Sequence, residues 1–111
     1  MERYGLYGKI TVKEGQRDNL VSILLEAAES MKELIECEIY LVSVSNDDPD
    51  AVFVYEVWKD EDSHKASLTL ESTQLLIKRA IPIMTGMETI HTLEPKGGKG
   101  IITSKQKNKT L

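Results

Sequence analysis

Three side chains that could build a reactive site lie close together in residues 52–68, a segment that reads VFVYEVWKDEDSHKASL. Glu56 and Trp58 are separated by one residue, and His64 follows six residues after the tryptophan. A neutral imidazole can accept a proton or orient a phenol, a carboxylate accepts hydrogen bonds, and an indole can line an apolar pocket. The segment therefore indicates a candidate site for proton transfer.

Each of these residues also has a purely structural interpretation. Trp58 can anchor the core or a subunit interface, and Glu56 on an apolar strand face must be paired, hydrated or raised in pKa. His64 falls in the first turn of the helix predicted after this strand, where it can be solvated or act as a cap. The other histidine, His91, has no carboxylate or cysteine at a recognisable spacing and is predicted to be structural.

The familiar motifs of cofactor and metal chemistry do not occur in the sequence. Neither glycine-rich phosphate-binding pattern is found, and GGKG at 97–100 has the wrong spacing for one. Two distant histidines and one cysteine make no zinc pattern, and Cys37 is predicted to be a buried structural thiol. The chain thus predicts neither a metal nor an organic cofactor.

Charge is distributed unevenly along the 111 residues, which suffice for one domain. Residues 96–111 contain five lysines and no acid; without them, nine basic residues face 18 acidic ones, so residues 1–95 carry a charge of −9. An acidic body repels phosphate, which argues against a nucleic acid partner. We expect a domain over 1–95 and a mobile lysine-rich tail over 96–111.

Neither an export signal nor a membrane span is predicted. The start of the chain lacks an apolar signal core, and no apolar run approaches the ~20 residues that a spanning helix needs. A single cysteine suits a reducing compartment. These features predict a cytoplasmic protein that does not bind membranes.

Hydrophobic periodicity divides residues 4–94 into strands and helices. Apolar residues at helical spacing from Leu20 to Ile35 predict a first helix, and Asp60 is a good N-cap for a second, from Glu61 to about Leu70. The chain then returns to helix at Ser72 or Thr73 until Pro82 perturbs or ends it. Alternation and turn residues predict four strands, at 4–12, 37–45, 51–59 and 86–94, with a turn at 46–50.

The order β-α-β-β-α-β predicts an α+β fold of the ferredoxin-like type, a four-stranded antiparallel sheet with both helices on one face. In the third strand, Phe53 and Tyr55 point one way while Val54, Glu56 and Trp58 point the other, so neither face is a row of charges. A single layer of helices would leave the second face as an exposed apolar patch. We therefore expect a homodimer that packs sheet against sheet.

The segment FVYEVWKDEDSHKAS resembles the antibiotic biosynthesis monooxygenase-like family of small dimeric α+β barrels. The similarity rests on Tyr55, Glu56, Trp58, the acidic run 60–62 and His64. It extends over most of residues 4–94, including KITVKEGQRDNL at the start of the first helix. The resemblance implies a ferredoxin-like protomer, a dimer formed through the sheets, and a pocket between each sheet and its helices.

The resemblance also implies a reaction. Better-understood members oxidise phenolic or quinol compounds with O2 and no metal or flavin, because the substrate itself reduces oxygen. By this similarity His64 would be the base or orienting group, Trp58 an apolar wall, and Glu56 or Tyr7 a hydrogen-bonding partner of the substrate. The partners would then be a second copy of the chain, a small aromatic or quinol-like molecule, and O2.

Two other functions stay open from the sequence. The chain could be a non-enzymatic dimeric module that binds a small apolar ligand or serves as an interaction scaffold, since a second histidine common in the family is replaced within LTLESTQ. Haem degradation is a third possibility. Haem-cleaving relatives use an asparagine on the first strand, and YGLYGKITV contains none.

Overall fold

The computed structural model describes residues 2–101, which form one antiparallel sheet with helices on one of its faces. Among these residues, no helix combines the length and apolar character required to cross a membrane. The elements, in chain order, are β1 (Tyr4–Val12), α1 (Arg17–Ser30), β2 (Cys37–Ser45), β3 (Asp48–Trp58), α2 (Glu61–Ser67), α3 (Glu71–Ala80), a 3-10 turn (Ile81–Ile83) and β4 (Met84–Leu93).

The sheet has the strand order β2-β3-β1-β4, with every neighbouring pair antiparallel. The predicted ferredoxin-like α+β protomer is therefore confirmed. β1 and β3 are the central strands, and α1 and β2 separate them in the sequence. The residues of the candidate site consequently lie in the middle of the sheet and at its join to the helices.

One face of the sheet packs against α1 and α3. Its core contains Val12 and Val52 from the strands, Leu20 and Ile23 from α1, and Ala80 from α3, all almost fully buried. Because successive strand residues point to opposite faces, the even-numbered residues of β1 and β3 face the helices. We call the other side the open face; it carries Tyr7, Phe53 and Tyr55.

The first helix begins after Gly15, whose φ of 79° is a turn conformation that suits glycine. Arg17, the first residue of α1, donates hydrogen bonds to the carbonyl oxygens of Ser45 and Asp48 at 3.0 and 3.4 Å. These bonds tie the start of α1 to the β2–β3 turn. The helix is thereby held over β2 and β3, where it forms one wall of the space described below.

Several predicted boundaries are wrong. The helical spacing extends to Ile35, yet α1 ends at Ser30 and Ile35 is 90% exposed. Residues 31–36 form turns, closed by a hydrogen bond from the Cys37 amide to the Leu34 carbonyl, because the chain must deliver Cys37 opposite Trp58. The third strand begins at Asp48 rather than at residue 51, since a register irregularity next to the turn accommodates Pro49.

The second helical region agrees with its prediction more closely. Asp60 is the N-cap of α2, as expected, because one of its carboxylate oxygens accepts a 2.8 Å hydrogen bond from the Ser63 amide. A turn separates α2 from α3, which ends at Ala80, two residues before Pro82. The last strand starts at Met84, two residues earlier than predicted.

Candidate active site

A cavity of about 420 Å³ lies between the helix-facing side of the sheet and the helices. Leu6 and Ile10 of β1 and Val54 of β3 form its floor, while Leu24 of α1 and Leu76 of α3 contribute to its walls. Most of the lining is apolar. A cavity of this size and character is typical of sites for small organic molecules.

Three ionisable side chains, Tyr40, Glu56 and His64, are neighbours on the cavity surface, and we call them the polar corner. Glu56 lies on β3 directly opposite Tyr40 of β2. The Nε2 atom of His64 lies 3.8 Å from the Oε1 atom of Glu56. The corner therefore combines groups from two paired strands and from the helix that follows them.

Glu56 is held in place by its own strand. The indole Nε1 of Trp58 donates a 2.9 Å hydrogen bond to Oε1 of Glu56. Burial raises the pKa of Glu56 above its ordinary value, because a carboxylate loses hydration there, while the Trp58 hydrogen bond and the nearby His64 act in the opposite direction. The sequence predicts an unusual environment for this carboxyl. In the structure the carboxyl is buried, and its hydrogen-bonding partner is Trp58, two residues along the same strand.

His64 is fixed by its helix and by two aromatic rings. Its centroid lies 5.5 Å from that of Tyr4 and 5.6 Å from that of Trp58, the latter in an edge-on arrangement. The Ser67 hydroxyl donates a 2.6 Å hydrogen bond to the His64 carbonyl oxygen, which strengthens the last turn of α2. The side chain is only 14% exposed, so the imidazole faces the cavity with little bulk water around it.

Trp58 does not lie on the surface of this cavity. Its side chain is 1% exposed and packs behind Glu56 and His64, on the border of a smaller space of about 230 Å³ near Leu34 and Leu70. Its contacts position the polar corner, whereas the resemblance implied an apolar wall around the substrate. This placement agrees with the interpretation of Trp58 as a residue that anchors the core.

Tyr7 lies on the opposite side of the sheet. It is paired with Tyr55 in the β1–β3 register, and its ring contacts those of Phe53 and Tyr55 on the open face. Leu6, one residue earlier, is the residue opposite Glu56. The structure therefore brings Glu56, Trp58 and His64 together and separates Tyr7 from them.

Tyr40 is the residue of the polar corner that the sequence reasoning missed. Burial raises the pKa of Tyr40 far above the ordinary value of a phenol, and the negative charge of Glu56 adds a smaller increase. A signal for it was present, because pairing Ser45 with residue 51 across the predicted turn and counting back along both strands puts Tyr40 opposite Glu56.

The remaining chemically capable groups form no further cluster at this site. Within residues 2–101, no three His, Cys, Asp or Glu side chains approach closely enough to hold a metal ion. Cys37 is half-buried, and burial together with Glu56 and Glu38 raises its pKa to about 11. Its thiol therefore keeps its proton at neutral pH and is a weak nucleophile.

Apolar side chains surround the opening of the cavity. Several remain well exposed although they border it: Leu68 is 41% exposed, Ile77 37%, Ile81 60% and Met87 70%. A group of exposed apolar residues at the edge of a cavity commonly marks a binding site. The opening is thus suited to the passage of an apolar molecule.

Comparison with known proteins gives consistent results. The sequence model of the family described as antibiotic biosynthesis monooxygenase matches residues 3–78. A crystal structure of a protein from Chloroflexus aurantiacus, provisionally named an antibiotic biosynthesis monooxygenase, is 42% identical, with a TM-score of 0.78 over 89% of this chain and 98% of that one. Among curated proteins, no significant match is found.

More distant structures share the fold. A provisionally named antibiotic biosynthesis monooxygenase from Caulobacter crescentus has a TM-score of 0.79 at 16% identity and covers 86% of this chain and 92% of its own. A protein from Shewanella oneidensis has a TM-score of 0.75 at 18% identity, over 85% and 91% of the two chains. At such identities the similarity concerns the architecture alone.

Proposed function

The chain belongs to the antibiotic biosynthesis monooxygenase family, and from that premise we propose that it oxidises a small aromatic or quinol-like compound with O2 in the cavity beside its sheet. The observation that carries this proposal is one imidazole, that of His64, at the polar corner of a largely apolar cavity. Family membership and the names of relatives support a monooxygenase; the substrate class and the roles below are our proposal.

His64 is the proposed base. A phenol or an anthrone-like CH2 group bound beside it transfers a proton to Nε2, and the imidazolium that forms lies 3.8 Å from Glu56, whose carboxylate would stabilise it. The substrate anion then transfers an electron to O2. In the anthrone case the CH2 group becomes a carbonyl: one oxygen atom enters the product, the other leaves as water, and the substrate supplies all the electrons.

The apolar walls have a part in this reaction. They exclude water from a reactive anion and its oxygen adduct, and they leave the few polar groups with stronger electrostatic effects than in solvent. The apolar border around the opening, which includes Ile81 and Met87, favours a substrate whose body is an apolar ring system. A highly charged or sugar-like substrate would find few hydrogen-bonding partners there.

The test is oxygen uptake with anthrone. We expect the wild type to consume O2 and to form anthraquinone, and we expect His64→Ala to slow uptake about 10²- to 10⁴-fold, the usual contribution of a general base. His91→Ala is the matched control, because the other histidine is exposed on β4 and does not line the cavity. Equal rates for wild type and His64→Ala would remove His64 from the mechanism.

A second candidate function is the binding of an apolar ligand without catalysis. It is favoured by the lining, in which the buried Glu56 and Tyr40 resist ionisation and most other residues are aliphatic. Native mass spectrometry of the purified protein tests it. A retained small molecule together with no oxygen uptake from any aromatic substrate would support this function over the oxygenase.

We also propose that the open face pairs with that of a second copy of the chain. Tyr7, Phe53 and Tyr55 form an aromatic cluster there, and Leu41 of β2 is 56% exposed on the same side. A monomer would have to keep these groups in water, whereas a sheet-to-sheet homodimer would bury them.

A further inference from the structure

Tyr40 belongs to the polar corner but has no role in the mechanism proposed above. It lies on β2 opposite Glu56, with its side chain on the helix-facing side of the sheet, where it lines the main cavity. It also borders a shallower groove outside α1, beside Leu25 and Lys32. Residues directly opposite each other on paired strands project to the same face, so the Tyr40 side chain lies beside that of Glu56 at the polar corner.

The Tyr40 hydroxyl has no hydrogen-bonding partner among residues 2–101, although the polar groups around it are paired. The Trp58 indole donates to Glu56, and the Ser67 hydroxyl donates to the His64 carbonyl. No fully enclosed side-chain oxygen or nitrogen in this part of the chain is left without a partner, so the Tyr40 oxygen must reach open space. A phenol in apolar surroundings is stabilised when that space supplies an acceptor.

We propose that Tyr40 is a substrate-binding residue whose O–H donates a hydrogen bond to an oxygen atom of the bound aromatic molecule. This inference rests on the proposed function, and it narrows the substrate to ring systems that carry a carbonyl or phenolic oxygen. A plain aromatic hydrocarbon fills the same apolar space but leaves the Tyr40 hydroxyl unpaired.

The surroundings of Tyr40 suit a donor rather than a base. Burial and the neighbouring carboxyl raise its pKa, so the O–H bond stays intact at neutral pH. His64 is then the group that accepts the proton, while Tyr40 holds the oxygen on which negative charge develops. A donor aimed at developing charge contributes more in an apolar cavity than in water.

Equilibrium dialysis with two probes of similar shape tests the inference. Menadione carries two ring carbonyls, and 2-methylnaphthalene carries none. We expect Tyr40→Phe to weaken menadione binding about tenfold, the usual result of removing one hydrogen bond, and to leave 2-methylnaphthalene binding unchanged. Tyr55→Phe, which removes a hydroxyl on the open face, is the matched control and should alter neither affinity.

An infrared measurement on menadione gives a second test that does not require a Tyr40 variant to fold. A hydrogen bond to a carbonyl moves its stretching band to lower wavenumber. We expect the bound probe to show this shift in the wild type and to keep it in His64→Ala, where Tyr40 remains the donor. A band at the position of unbonded menadione in the wild type would overturn the inference.

The outcomes separate this inference from the oxygenase proposal. Tenfold weaker menadione binding in Tyr40→Phe, with no oxygen uptake from anthrone by the wild type, would support the role of Tyr40 and reject the oxygenase. Menadione binding unchanged in Tyr40→Phe, an equal loss for both probes, or no binding of either probe by the wild type would each overturn the inference. Oxygen uptake that depends on His64 would still support the oxygenase in those cases.

Discussion

At the scale of single residues, the candidate site centres on one buried carboxyl and its two neighbours. Glu56 receives a hydrogen bond from Trp58 and lies 3.8 Å from His64, and the indole is itself packed against the imidazole. A change in the charge of Glu56 therefore alters the electrostatic surroundings of the cavity at this point and the stability of the strand end.

The stability prediction concerns Glu56→Gln. Burial raises the pKa of Glu56 in the folded chain above its ordinary value. The contribution of this carboxyl to the stability of the folded state is therefore fully present below the ordinary pKa and is lost as the pH rises through the folded pKa. Glutamine cannot ionise and can still accept the Trp58 hydrogen bond. We expect the variant to gain thermal stability over the wild type at about pH 7 but not near pH 4.

Circular dichroism melts at the two pH values measure this difference. Glu29→Gln, which removes a carboxylate that is 70% exposed, controls for the loss of one negative charge. A gain for Glu56→Gln that is as large near pH 4 as near pH 7 would mean that ionisation of this carboxyl does not destabilise the folded chain.

At the scale of elements, α1 supplies both core and cavity wall from one side of the helix. Leu20 is fully buried in the core and lines the cavity, whereas Leu25 of the same helix is 54% exposed. We expect Leu20→Ala to lower the free energy of unfolding by about 2–5 kcal/mol, because buried apolar surface is lost and a void remains.

Urea denaturation of both variants checks this prediction. Leu25→Ala is the matched control and should change the free energy of unfolding by less than about 0.5 kcal/mol. Losses of similar size at the two positions would contradict the orientation of α1 described above.

Local patterns were sufficient to predict the order of the elements, but not where α1 stops. The spacing that includes Leu34 and Ile35 continues the helical pattern, and periodicity contains no information about the distance the chain must cover to reach β2. The turns of residues 31–36 exist because Cys37 has to pair with Trp58. That requirement comes from a tertiary contact, and the residues between 31 and 36 contain no local signal for it.

The candidate site was predictable where its contacts are local in sequence. Glu56, Trp58 and His64 lie within nine residues of one another, so their proximity follows from a strand joined to a capped helix. Tyr40 follows from the register of a hairpin, which is also local. The face on which Tyr7 lies depends on the register of β1 against β3, a pairing across more than forty residues that no turn fixes.

At the scale of the whole molecule, the open face is the surface through which we propose that two copies of the chain pair. The proposed homodimer predicts a mass in solution of twice the 12.5 kDa of one chain, measured by light scattering at micromolar concentration. Leu41→Glu puts a charge among apolar groups on that face and should shift the mass toward one chain.

Leu25→Glu is the control for this experiment, since it introduces the same charge at a position of similar exposure on α1, away from the open face. A wild type that stays folded at the mass of a single chain would reject the dimer. A dimer that persists in Leu41→Glu but dissociates in Leu25→Glu would also reject the open face as its interface.

The division of the cavity between two parts of the chain has an evolutionary consequence. Glu56, Trp58 and His64 come from one unbroken stretch of β3 and α2, whereas much of the space around them is bounded by aliphatic side chains of α1 and α3. Descendants of such a gene can exchange those aliphatic residues one at a time and so come to bind different ligands. The short stretch that carries Glu56, Trp58 and His64 is then inherited unaltered.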